Sequence, residues 1–389
     1  MRICLIEERF LSPRTTGPSK HTNQLANALS MKGHEITIIC ESTPQNGSMS
    51  TMPYERDVGR LHVVQLESIG IGHQRWLKGL MKSIQNVKPD IVHCQGYRNL
   101  TSDLSGFSAR INRIPFVLSP RGSLFGYSYR RVDSLVPVAA QLYDVCTLRI
   151  TLSLASAIAV TSEMEKTEAI SIGVPPEKVH LIPHGMAFPD IPENDMNLAG
   201  NPRLLTVGRI TPRRNTVDII QSMKYVIREF PNAVLYVAGD PIRDSYDKAD
   251  SNYFERAQDA ASDPSVREHV KMLGGVYGDE LWRLYHSCDC YIYASDYDNF
   301  GFGLLEAAYF GLPIISTKVG VAPELVQDGR GGVLVDDHRP TTIAKALLDL
   351  LRNRQKMLQM GEHLRARARQ YSIEENADRY AKLYGRLLV

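Results

Sequence analysis

The 389-residue chain has little net charge: 45 lysines and arginines against 43 aspartates and glutamates leave +2. No basic run stands out, so nothing in the charge pattern argues for nucleic-acid binding. A long uninterrupted apolar segment is missing too. The most apolar stretch, Leu135 to Ala155, contains Pro137, Gln141, Asp144 and Arg149, which argues against a bilayer span. The opening residues, Arg2-Ile3-Cys4-Leu5-Ile6, read as a strand and not as a charged segment followed by a cleavable apolar run, so no secretory signal is expected. The six cysteines show no metal-binding pattern. Cys288-x-Cys290 has the wrong spacing for a zinc knuckle and no second pair complements it. Thiols in apolar strand-like runs behave as small hydrophobes, and a reducing cytosol fits them. No repeat of solenoid period is visible. The first loop has no G-x-G-x-x-G, which weighs against a nicotinamide dehydrogenase even though Glu41 stands where such an enzyme would bind a ribose.

What is present is a globular composition, 43% hydrophobic and 23% charged, in a chain long enough for two or three domains. Short β-rich runs alternate with helical patterns. In the first half the strand candidates are Ile3–Glu7, Ile36–Cys40, His62–Leu66, Ile91–Cys94, Phe116–Ser119, Ala157–Thr161 and Val179–Ile182. Several are continuous apolar runs, the mark of parallel strands covered on both faces. Leu25, Ala28 and Leu29 make one helical face that Gly33 can end, and Ser162 with Glu165 forms a capping-box pattern. The pattern lapses at residues 190–202, a polar segment with Pro192 and Pro202 that reads as a linker. A second series follows, with strand candidates Leu204–Gly208, Val234–Ala238, Val270–Leu273, Cys290–Ala294, Pro313–Thr317 and Val333–Val335. Helical patterns close the chain from Thr342 to about Gln370 and from Ile373 to Leu388. The expected architecture is α/β: two doubly wound Rossmann-like domains facing a cleft. Residues 1–189 would form the first domain, 190–202 the linker, 203–372 the second domain and 373–389 a final helix.

The most informative stretch runs from Asp296 to Pro313, Asp-Tyr-Asp-Asn-Phe-Gly-Phe-Gly-Leu-Leu-Glu-Ala-Ala-Tyr-Phe-Gly-Leu-Pro. It leaves a strand and enters a helix. Asp298 lies in the loop and Glu306 on the helix, so the two carboxylates can grip different hydroxyls of one polyol. Gly301 and Gly303 allow close approach of backbone, and free N–H groups at the helix start can bind hydroxyls or an anion. The competing reading is a solvated acidic loop and a surface glutamate. Glu306, however, sits among Leu304, Leu305, Ala307 and Ala308, and a half-buried carboxylate needs a partner.

This run resembles the acid-x7-acid signature of the retaining GT-B glycosyltransferases, family 4 (glycosyl transferases group 1). Other segments match in the same order. Val207-Gly208-Arg209-Ile210-Thr211-Pro212-Arg213-Arg214 is similar to the family's strand-Gly-Arg…Lys phosphate motif, with Arg214 in the place of the lysine. Thr16-Gly17-Pro18-Ser19-Lys20-His21 resembles its Gly-rich first loop, Ile182-Pro183-His184-Gly185 the Ile-Pro-Asn-Gly element, and Gly320 to Val326 a further element. The resemblance implies a hexosyltransferase that uses a nucleotide-diphosphate sugar, UDP- or GDP-linked, as co-substrate and needs no metal. Arg209 and Arg214 would hold the diphosphate, with Gly17 approaching it from the first domain. Glu306 would hold the ribose. Asp298, one methylene shorter than the family's usual glutamate, would hold the transferred sugar with the N–H groups of Asn299, Phe300 and Gly301. The nucleobase would sit near Gly274–Tyr277.

Two features on the acceptor side depart from the family. Ser119-Pro120-Arg121-Gly122-Ser123-Leu124 carries Arg121 where many members have a histidine. Arginine stays protonated and cannot act as a general base, so Arg121 is expected to bind phosphate or an acidic acceptor, or else to brace its own loop. His93 ends a strand and is a candidate for the acceptor side along with Ser123; a hydrogen-bonded core histidine is the competing reading. The acceptor, a glycan, a lipid-linked sugar or a small molecule, would meet loops near Arg9–Ser19, Tyr97–Asn99 and Leu124–Arg131. Retention by same-face attack is expected, with the leaving phosphate helping to deprotonate the acceptor. The location expected is cytoplasmic, with room for contact at the inner face of the membrane. The alternative is a degenerate GT-B protein that binds nucleotide sugar or glycan without turnover.

Overall fold

The computed structural model of the chain describes residues 1–8, 10, 17–42, 54–58, 61–71, 74–124, 142, 145–147, 149–241 and 252–389. Its internal contacts define two units, Met1–Ala187 with Tyr371–Val389, and Phe188–Gln370.

In the first unit the strands are β1 (Arg2–Ile6), β2 (Glu35–Glu41), β3 (Tyr54–Val58), β4 (Leu61–Leu66), β5 (Ser68–Ile71), β6 (Gln74–Leu77), β7 (Ile91–Gln95), β8 (Phe116–Ser119), β9 (Ala157–Val160) and β10 (Val179–Leu181). Among the described residues eight of them form one sheet in the order β10-β9-β8-β7-β1-β2-β4-β3. All neighbours run parallel except β3, which pairs antiparallel with β4. The apolar runs form strands because helices cover both faces. Ile3, Leu5, Leu25, Leu29, Ile36 and Ile38 pack on one face, and Cys4, Ile6, Ile84, Val92, Phe116 and Leu118 on the other. Strand β3, Tyr-Glu-Arg-Asp-Val, has no apolar run to betray it, and charged residues of this kind are usual on a sheet edge. The hairpin of β5 and β6 was also not expected.

The second unit has β11 (Arg203–Val207), β12 (Val234–Ala238), β13 (Val270–Gly274), β14 (Cys290–Tyr293), β15 (Ile314–Thr317) and β16 (Gly332–Val335). Among the described residues these make a wholly parallel sheet, β13-β12-β11-β14-β15-β16. In both sheets the winding reverses beside the first strand, between β1 and β7 and between β11 and β14. Side chains just past the carboxyl ends of those strands face the crevice where doubly wound sheets bind ligands.

Residues 190–202, read above as a linker, group with the second unit. They lie along it through hydrogen bonds from Met196 N to Ser287 Oγ, from the Tyr236 hydroxyl to Ala199 O and from Asn201 N to Asn232 O. The helical pattern after Thr342 is two helices, Pro340–Leu351 and Arg354–Ala368, because the Asn353 side chain caps the second by accepting from Lys356 N. The final helix, Ile373–Leu387, belongs to the first unit. Its Ile373, Ala377, Tyr380, Leu383 and Tyr384 are buried in the core with Ile3 and Leu25. No helix among the described residues is long and apolar enough to cross a membrane.

Leu383 is 4% exposed within that core. Leu383→Ala is expected to destabilise the protein by about 2–5 kcal/mol, as buried leucine truncations do. Urea unfolding checks this; a loss under about 1 kcal/mol would show that the final helix is not an integral part of the first unit's core.

Candidate active site

In the second unit, Gly208 follows β11 with φ of 147°, a left-handed-side conformation that suits glycine, and the chain then turns through Arg209 to the short 3-10 helix Pro212–Arg214. That helix is pinned to the end of β14. Asp296 N and the Ser295 hydroxyl donate to Arg213 O, and Asn215, itself left-handed at φ 51°, donates from Nδ2 to Ala294 O and Asp296 Oδ1, both at 2.8 Å. The consequence is that Arg214 reaches across the winding reversal to Asp298, with Nη2 2.9 Å from Oδ2. Its guanidinium lies over the Tyr293 ring, 4.7 Å from the centroid, a cation–π contact. Arg214 Nε and Nη1 are buried and have no hydrogen-bond partner among the described residues. Arg214 lines a small pocket with Thr206, Gly208, Arg209, Thr216 and Tyr293. Arg209 is exposed at this pocket.

Charge is stabilised here by neighbours against burial. Burial opposes the Arg214 cation, but Tyr293 and Asp298 outweigh it and the guanidinium stays charged. Burial likewise raises the Asp298 carboxyl, yet Arg214, Arg213 and the Tyr293 hydroxyl hold it below the usual carboxylate range. Three tyrosines underlie the acids. The Tyr293 hydroxyl donates to Asp298 Oδ2 at 2.5 Å, the Tyr285 hydroxyl to Glu306 Oε2 at 2.9 Å, and the Tyr291 hydroxyl to Val207 O at 3.2 Å. Burial, first of all, pushes all three phenols up, so they remain protonated donors. These hydroxyls explain Gly303, where a Cβ would collide with the Tyr291 oxygen.

The loop residues take separate places. Gly301 is left-handed at φ 90° and precedes the helix Phe302–Phe310, on which Glu306 is half-buried. Asn299 is half-buried and the Phe300 side chain is fully buried. Phe300 N points at Asp298 Oδ1, 3.5 Å away, so this N–H faces the acid of its own loop. Phe300 O accepts from Val321 N, which makes the Gly320–Val326 element a buttress of the loop. At the expected nucleobase position the Tyr277 hydroxyl donates to Asp240 Oδ2 at 2.6 Å. Among the described residues no group of three or more His, Cys, Asp or Glu is placed to hold a metal ion.

In the first unit, Gly17 is exposed as the first residue of the helix Gly17–Met31. Thr16, residues 9 and 11–15, and residues 125–131 of the expected acceptor loops lie outside the described residues. Arg121 follows β8 in a left-handed conformation, φ 54°, uncommon for a side chain-bearing residue. Its Nη1 meets Glu7 Oε2 at 2.5 Å and its Nη2 donates to Thr22 Oγ1 at 2.6 Å. Gly122 N donates to Glu165 Oε1, and Glu165 Oε2 accepts from Thr161. Ser162 caps its helix as expected by accepting from Glu165 N, but the Glu165 carboxylate is spent on the Arg121 loop. Two hydrogen-bonding arms of Arg121 are thus committed internally, the geometry of a loop brace. Ser123 is half-buried, and its carbonyl accepts from Arg98 Nη1.

His93 does not reach an acceptor. It is 0% exposed, with Nδ1 bonded to the Tyr384 hydroxyl at 2.7 Å and Nε2 to Ser119 Oγ at 2.8 Å. It sits in the middle of β7 and not at its end, and the final helix covers it. Burial, then Arg121, lowers its pKa to about 3, so it is neutral. Sequence reasoning missed Tyr285, Tyr291, Tyr293 and Asn215. The one available signal was Tyr291-x-Tyr293 in a strand apolar on both sides, where buried hydroxyls must find partners.

With this geometry in view, comparisons with known proteins define the class. Residues 191–369 match the family model "Glycosyl transferases group 1", and residues 16–185 match "Glycosyl transferase 4-like domain". An uncharacterized glycosyltransferase of Methanocaldococcus jannaschii is 24% identical over 88% of this chain and 87% of its own. A GDP-mannose-dependent alpha-(1-6)-phosphatidylinositol monomannoside mannosyltransferase of Mycobacterium tuberculosis is 28% identical, over 42% of each chain. Among solved structures, sucrose-phosphate synthase of Thermosynechococcus elongatus superposes with a TM-score of 0.75 at 18% identity, covering 99% of this chain and 98% of that one. Anabaena HepE in complex with UDP and glucose superposes with a TM-score of 0.72 at 16% identity, covering 99% and 100%. Between them the two glycosyltransferase models span most of the chain, and its fold is that of the GT-B glycosyltransferase structures.

The buried imidazoles of the first unit give a pH dependence. His21 is also lowered to about 3, by burial and then Arg121. For each, the unfolded chain takes up a proton near pH 6.5 while the folded chain does not until about 3. The stability they contribute is complete above pH 6.5 and lost as pH falls. Between pH 7 and pH 5 the two together are expected to remove about 4 kcal/mol, at about 1.4 kcal/mol per pH unit per group. Chemical unfolding at both pH values measures it. Unchanged stability would mean that these rings are not buried as neutral groups.

Proposed function

We propose that the protein is a retaining hexosyltransferase that moves a sugar from a nucleoside diphosphate donor, UDP- or GDP-linked, to a hydroxyl of a glycan, lipid-linked or small-molecule acceptor. The observation that carries this reading is Arg214: charged, half-buried, with two unpartnered nitrogens, on a pocket shared with Gly208 and Arg209. Cleaving a sugar–phosphate bond leaves negative charge on the departing diphosphate, and fixed cations in a poorly solvated place stabilise it without a metal. Arg209 and Arg214 are assigned that task, Glu306 the ribose and Asp298 the sugar. Arg121 is assigned to bracing the first unit's loop. HepE, which binds UDP and glucose, and the GDP-mannose-dependent relative support a nucleotide-sugar donor of this kind. In the same-face mechanism we favour, the leaving phosphate takes up the acceptor proton.

Thermal unfolding with UDP-glucose, GDP-mannose, ADP-glucose and the free nucleotides tests the donor class. At about 100 times Kd the bound ligand stabilises by about 2.7 kcal/mol, a readable shift. One nucleotide series is expected to give it, and turnover with an acceptor then separates an enzyme from a binding protein. A cooperatively melting protein that shifts with none of them would sink the proposal.

Arg214→Ala is expected to lower kcat/KM by about 100- to 1,000-fold, the loss seen when a preorganised transition-state donor is removed, and also to destabilise the fold through the Asp298 carboxylate left unpaired. Activity is expected to persist in excess EDTA, and NMR of the first-formed product to show the donor's anomeric configuration. Strict loss in EDTA would refute the metal-free route, and an inverted product the retaining one.

A further inference from the structure

The Asp298 carboxylate is not open on both sides. Oδ2 is taken twice, by the Tyr293 hydroxyl at 2.5 Å and by Arg214 Nη2 at 2.9 Å. Oδ1 meets Phe300 N at 3.5 Å, the outer limit of a hydrogen bond. Tyr293 has little freedom to leave this arrangement. It sits on β14, is 4% exposed, carries the Arg214 guanidinium on its ring face, and its hydroxyl lies 3.2 Å from where a Cβ on Gly301 would stand. The hydroxyl thus fills the space immediately behind the carboxylate. A glutamate at this position would extend the acid by one carbon–carbon bond, about 1.5 Å. At a 2.5 Å contact there is no room for that bond between acid and hydroxyl.

We propose that Tyr293 is a positioning residue for the donor sugar: with Arg214 it fixes Asp298 Oδ2 and leaves Oδ1 as the one carboxylate oxygen offered to a sugar hydroxyl. The inference rests on the donor-site reading above. It gives a physical account of the short acid, because Tyr293 and aspartate at 298 fill together the length that a glutamate would span alone. It also makes recognition by this acid depend on a single hydroxyl, so an epimer at that carbon loses the contact outright. The nucleotide half of the donor, assigned to Arg209, Arg214 and Glu306, meets Tyr293 through Arg214, and the ring that carries that guanidinium is kept when only the hydroxyl is removed.

The test uses the full chain, with UDP-glucose and GDP-mannose set against free UDP and GDP. Tyr293→Phe removes only the hydroxyl and keeps the ring under Arg214. It is expected to weaken the sugar nucleotide that the wild type prefers by about tenfold in Kd and KM, while the matching free nucleotide changes by less than about twofold. Asp298→Glu is expected to lower kcat/KM in the wild-type background and to do so about tenfold less in the Tyr293→Phe background, where the hydroxyl no longer blocks the longer acid. That rescue is a readout that general loosening of the fold would not produce. Equal losses from Asp298→Glu in both backgrounds would overturn the proposal, as would a Tyr293→Phe protein that loses free nucleotide and sugar nucleotide alike. A wild-type protein that binds free nucleotide but gains nothing from the sugar would overturn this inference alone. One that binds neither would overturn the donor-site reading beneath it.

Discussion

The second unit is organised around keeping one guanidinium charged where water scarcely reaches. The Arg214 side chain is 19% exposed and the Asp298 side chain 13%. Removing one partner of such a pair would leave an uncompensated charge at a cost of about 3–5 kcal/mol. The pair therefore constrains everything that brings it together. Asn215 must adopt its left-handed conformation to tie the Pro212–Arg214 turn to Ala294 and Asp296. The strand order must place β11 beside β14 although helices and two further strands separate them in sequence. Parallel winding supplies that neighbourhood, and its reversal leaves the crevice open at the carboxyl ends.

The first unit meets a related problem with a different solution. Its polar layer is deeper: Glu7, Thr22, His93, Ser119 and Glu165 are all buried. Buried polar groups require partners, and the final helix supplies those of His93 and Ser119, and of the buried His21 as well. Tyr384 serves His93, Tyr380 lies 3.3 Å from Ser119 Oγ, and Asn376 Oδ1 meets His21 Nε2 at 3.1 Å. The helix is therefore more than an apolar cover. It completes the hydrogen bonding beneath the Arg121 loop, and it does so with the histidines neutral, since a second cation there would face Arg121 in a medium that screens poorly.

Sequence made the frame legible because parallel strands buried on both faces must be apolar throughout, and residues such as Ile3–Ile6 and Val234–Ala238 could be little else. Arg209, Arg214, Asp298 and Glu306 were singled out by resemblance to a family motif, since the spacing of the acids is weak alone; the structure sets Arg209 and Arg214 on one pocket and pairs Arg214 with Asp298. Tyr285, Tyr291 and Tyr293 were not legible, because an aromatic ring in a strand or helix reads as core and its hydroxyl partner can lie far away in sequence, as Val207 does from Tyr291. His93 was read as ending a strand, but β7 runs on to Gln95, and the final helix that covers the imidazole comes from far away in sequence. Glu165 fitted a capping box in spacing, and only the fold shows its carboxylate turned to Gly122 and Thr161. Strand β3 escaped because an edge strand need not be apolar.

The contrast between Arg121 and Arg214 supports the proposal that anion binding belongs to one unit and not the other. Both stand in loops that follow parallel strands, Arg121 after β8 and Arg214 after β11, and both pair with an acid. Arg121 is 8% exposed at its side chain and gives both terminal nitrogens to Glu7 and Thr22, leaving only Nε without a partner. Arg214 gives Nη2 to Asp298 and keeps both Nε and Nη1, beside a second arginine and a glycine that leaves the backbone uncovered. An arriving diphosphate could take these donors without breaking the pair with Asp298, so the acid stays in place for the sugar while the cation meets the phosphate. Binding at Arg121 would have to displace a short, buried ion pair first, and that difference in cost supports the proposed placement of the diphosphate at Arg214.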